Sequence, residues 1–84
     1  MSHASRIAAA IDAAEARSDL LSAVDEARAE LEAATAAWQM AQRKYLYAPQ
    51  GQRNTRLNAL LEANKRALRA EGDLKRAERE AGLK

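Results

Sequence analysis

The stretch "YLYAPQGQRNTRL", Tyr45 to Leu57, carries the only proline of the chain, one of its three glycines and both tyrosines. Ala, Leu, Glu, Lys and Arg make up most of the remaining sequence. Pro49 disfavours helical geometry at Ala48, and Gly51 tolerates positive φ, so a preceding helix should stop near Tyr47. Asn54 or Thr55 is suited to cap a second helix by accepting hydrogen bonds from its first free amides. The stretch therefore reads as a corner over residues 48–54, an ordinary length for a helix–helix connection.

N-terminal to this corner, helix formers run without Gly or Pro from about Ser5 to Tyr47, and Val24, Leu31, Trp38 and Tyr45 fall at intervals of seven. Three residues after each stands an alanine: Ala27, Ala34, Ala41 and Ala48. A heptad seam with one large and one small position lets a partner helix approach closely and interlock with the large side chains. C-terminal to the corner, a second helix over about 55–80 offers Leu57, Leu60, Leu61 and Leu68 as a buried stripe. Glu62 with Arg66 and Glu71 with Lys75 stand in the favourable i,i+4 order. An interior glycine costs roughly 1 kcal/mol against alanine, so Gly72 is a candidate break, with fraying expected from about Arg79.

The expected fold is thus all-α, one domain forming a long antiparallel helical hairpin with a core of Val24, Leu31, Trp38, Tyr45, Leu57, Leu60, Leu61 and Leu68. Such a core is thin: 22 of the 40 apolar residues are alanine, which contributes little transfer free energy on burial. Eighty-four residues bury only a modest fraction of their surface. Folding at the corner also leaves residues 2–17 overhanging, with Ile7 and Ile11 uncovered. The hairpin is expected to complete its core by homo-oligomerisation or within a larger hetero-assembly.

Charge is divided unevenly. Residues 1–41 hold seven acids and three bases, whereas residues 42–84 hold eleven bases and five acids. The opposite signs favour the two halves lying side by side. Between Arg43 and Arg69 stand seven bases and a single acid, Glu62. Positive potential therefore gathers around the corner, where Arg43, Lys44, Tyr47, Arg53 and Arg56, with Ile7 and Ile11 at the far end, are the candidate partner-binding residues.

Chemistry has few footholds. The chain has no cysteine and one histidine, His3, near the terminus, so no cofactor, metal site or catalytic residue is expected and an enzyme is not. Glu26 and Glu30 share a helix face without the Glu-x-x-His companions of a di-metal bundle. The apolar run Ile7 to Ile11 is too short for a signal-peptide core or a membrane span, so a soluble protein is expected. The leading expectation is a non-enzymatic structural or interaction subunit of a protein assembly, for which a phage or virion component would be one setting. A nucleic-acid-binding bundle using the basic corner is the alternative, and an inhibitor or adaptor helix filling a partner's groove is a third.

Overall fold

The computed structural model describes residues 3–83. Helix α1, His3–Leu46, runs 44 residues without interruption, continuing through "RSDL" at residues 17–20, where Ser18 or Asp19 could have capped a separate helix. At about 1.5 Å per residue it sets the length of the molecule, a rod of 74 × 15 × 14 Å. A 3₁₀ turn at Gln50–Gln52 leads into α2, Arg53–Glu80, which packs back along α1 as an antiparallel hairpin. The fold is the all-α hairpin the sequence implies.

The corner is built differently from expectation. Pro49 is extended (φ −59°, ψ 152°), and the Gln52 amide donates to the Pro49 carbonyl at 2.9 Å, closing a single 3₁₀ turn. Gly51 therefore needs no positive φ; among the described residues that conformation belongs to Gly82. Neither Asn54 nor Thr55 is the cap. Helix α2 begins earlier, at Arg53, and Gln52 at its N-cap makes no side-chain capping bond. The connection, residues 47–52, lies one to two residues earlier than the expected 48–54, so Asn54 and Thr55 already lie inside the helix.

Gly72 does not break α2, which ends at Glu80. At its end the Gly82 amide donates to the Arg79 carbonyl at 3.1 Å and the Leu83 amide to the Glu78 carbonyl at 2.9 Å. With Gly82 at φ 74°, these two bonds form a Schellman motif, which satisfies carbonyls a free helix end leaves unpaired.

Along α1, the seam residues Val24 and Ala34 are buried, and Leu20, Ala27, Leu31, Trp38, Ala41, Tyr45 and Ala48 are half-buried. The facing stripe of α2 is Leu60, Ala67, Leu74 and Ala81, alternating with Ala63, Ala70 and Ala77. Both helices thus present heptads in which alanine occupies much of the contact, the arrangement that lets two backbones approach closely. Two residues assigned to the core lie outside this stripe: Leu61 is 49% and Leu68 61% exposed. They lie on a neighbouring stripe turned away from α1, whereas Leu57 is half-buried like Leu60; the alanine stripe fits closer to α1, and proximity of the helices decides which stripe is buried. Along the N-terminal part of α1 every residue from Ala4 to Asp19 is exposed.

Candidate interaction surfaces

Three features stand on this rod: a basic corner, a charged and alanine-lined side, and a side bearing large apolar residues. At the corner, Arg43 and Lys44 occupy the last turn of α1, where cations complement the helix dipole. The Arg53 guanidinium lies 5.9 Å from the centre of the Tyr45 ring, a cation–π distance. Arg56 donates from Nη2 to Gln52 Oε1 at 3.3 Å. Arg43, Lys44 and Arg56 line one shallow open groove with Tyr47, Ala48 and Pro49, while Tyr47 itself is 85% exposed. The corner therefore brings together five of the residues singled out from sequence and leaves Ile7 and Ile11 at the opposite end of the rod.

The charged side carries one cross-hairpin contact that sequence spacing does not reveal. Arg66 grips Glu30 with two bonds, Nε to Oε1 at 2.8 Å and Nη2 to Oε2 at 3.2 Å. The hydrogen bond from Arg66 holds the Glu30 carboxyl below its ordinary pKa, and the same bond raises Arg66. Arg66 is thereby drawn from Glu62, which instead meets Lys65 at 3.3 Å; the expected Glu71–Lys75 pair is present at 3.1 Å. Glu30 and Arg66 occupy the same flank of two antiparallel heptad stripes, and that common flank is the signal that could have found them. Glu26 and Glu30 line a shallow groove with Asp73, Arg76 and Glu80. Among the described residues no group of His, Cys, Asp and Glu gathers as a metal site would, and no helix is long and apolar enough to cross a membrane.

No protein-family model, curated protein or solved structure matches this chain.

The third side carries apolar side chains larger than those in the seam. Trp38 is half-buried and lines a shallow groove with Gln42, Leu60, Leu61 and Asn64. Leu61 and Leu68 stand out beside it, and Leu21, Ile7 and Ile11 are 38%, 51% and 52% exposed along α1. The buried apolar residues of the isolated hairpin are Val24, Ala34, Ala70 and Ala81. Among the described residues full burial thus falls to Val24 and three alanines, the seam leucines are half-buried, and Ile7, Ile11, Leu21, Leu61 and Leu68 stand outside the seam.

Proposed function

We propose that the chain is a non-enzymatic structural subunit whose helices pack into a larger protein assembly. The observation that carries this reading is the apolar surface left outside the seam: Ile7, Ile11, Leu61 and Leu68 are exposed, while the fully buried apolar positions among the described residues are Val24 and three alanines. Exposed apolar surface of this extent, rimmed by charge, is what interaction faces look like. The experiment is native mass measurement over a range of concentrations together with helicity and thermal melting. Association is expected, with helicity and melting temperature rising with concentration or on adding the partner. A monomer with a cooperative, concentration-independent melt and no co-purifying protein would defeat the reading.

A second reading has one specific support, the crowding of positive charge at the corner. Residues 33–70, the corner half of the rod, hold seven bases and one acid. Nucleic acid bound there would show affinity falling steeply with salt and a flatter salt slope in a Arg43→Gln/Lys44→Gln variant.

A further inference from the structure

We infer that the apolar side of the hairpin is a self-association face on which two copies of this chain lie antiparallel, each covering the other's overhanging N-terminal helix. The inference rests on the assembly reading above and names its partner. Leu21, Ala14 and Ile7 precede Gln42 at multiples of seven, and Gln42 lines the groove of Trp38 and Leu61. The heptad repeat therefore carries the overhang's apolar stripe to the side of the hairpin that bears Leu61 and Leu68.

The two stripes match in length, fifteen residues each, and alternate their spacings of three and four in opposite phase. On α1, Ile7, Ile11, Ala14, Ser18 and Leu21 span residues 7–21; on α2, Asn54, Leu57, Leu61, Asn64 and Leu68 span residues 54–68. In an antiparallel pair of rods the overhang of one copy runs parallel to α2 of the other, so Ile11 meets Leu57, Ala14 meets Leu61, and Leu21 meets Leu68. Ser18 then falls opposite Asn64, and Ile7 opposite Asn54 at the end of the contact.

Charge fixes the direction. The fold places residues 33–70 in the corner half, net +6 from seven bases and one acid. The open half holds residues 1–32, with seven acids and three bases, and residues 71–84, with four of each, net −4. The rod is a charge dipole, so antiparallel copies attract along their length while parallel copies would stack like charges.

The absence of cysteine makes the orientation testable. Ser18→Cys and Asn64→Cys chains, both exposed positions, are treated with a short bis-maleimide singly and as a mixture, alongside native mass measurement. The mixture is expected to yield a covalent dimer and either variant alone little of it. Leu61→Glu/Leu68→Glu, which alters side chains already outside the hairpin core, should weaken dimerisation roughly a hundredfold. Self-linking of each single variant as efficient as that of the mixture, or a native complex with a different protein only, overturns the antiparallel pair and leaves the assembly reading standing. A folded monomer at every concentration that joins no protein overturns both.

Discussion

Trp38 illustrates how a residue can lie on a seam without being enclosed by it. The heptad places it correctly, opposite Leu60, Leu61 and Asn64, yet one edge remains open because the facing helix offers a groove and no lid. Trp38→Ala should cost about 2 kcal/mol of hairpin stability, less than the 3–5 kcal/mol of a fully enclosed tryptophan. Its fluorescence should shift to the blue as the assembly forms, and denaturant melts at fixed concentration measure the cost. Glu30 supplies a pH dependence of known sign. Its folded-state pKa lies below the ordinary 4.5, so its contribution is present above that value and is lost as pH falls through the depressed one. Wild type should lose its urea-midpoint advantage over Glu30→Gln between neutral pH and acid. A constant difference across that range would show that the Arg66 bond does not form in solution. The pair is half exposed, so the effect is modest.

At the scale of the elements, α1 is legible in the sequence and α2 only in part. Large side chains at Val24, Leu31, Trp38 and Tyr45 advertise the α1 seam, because hydrophobicity and contact coincide there. On α2 they do not coincide: leucines mark two adjacent stripes, and the buried one is completed by Ala63, Ala67, Ala70 and Ala77, whose small transfer energy leaves no pattern to read. The helix ends were legible only as turn chemistry. Pro49 announced the corner, but the choice between a positive-φ glycine and a 3₁₀ turn depends on backbone closure that composition does not specify. Two glycines now make opposite predictions. Gly72→Ala should stabilise by about 0.5–1 kcal/mol, since the position is helical and nothing lies within 4 Å of an added Cβ. Gly82→Ala should destabilise by about 1 kcal/mol through the left-handed conformation at φ 74°, although space is equally open. Thermal melting of both variants at one concentration tests the pair, and equal signs would contradict the assigned cap.

For the whole molecule, the sequence conveyed shape and incompleteness but not which face is incomplete. Ile7 and Ile11 were recognisable as uncovered because the arithmetic of a hairpin leaves the longer arm bare. Leu61 and Leu68 were not, because they look like core until the stripe that displaces them is known. Arg53 and Arg56 engage Tyr45 and Gln52 within the corner, so replacing both with Gln should change hairpin stability by no more than about 1 kcal/mol. A larger loss in denaturant melts would make these contacts structural.

The bare arm also sets a clock on the backbone. From Ala4 to Asp19, α1 is a single helix of exposed residues, so its amides are held by local hydrogen bonds alone, and an isolated helix of about fifteen residues is marginal in water. Hydrogen–deuterium exchange in dilute protein should therefore grade along the rod, fast before Leu20 and slowest around Val24 and Ala34, where α2 packs. When a second body covers the arm, its slow exchange should appear all at once, because the same helical turns that make the contact are stabilised by it. Part of the binding free energy would then be spent in ordering the arm, which tempers affinity and makes its helix content a direct reporter of occupancy.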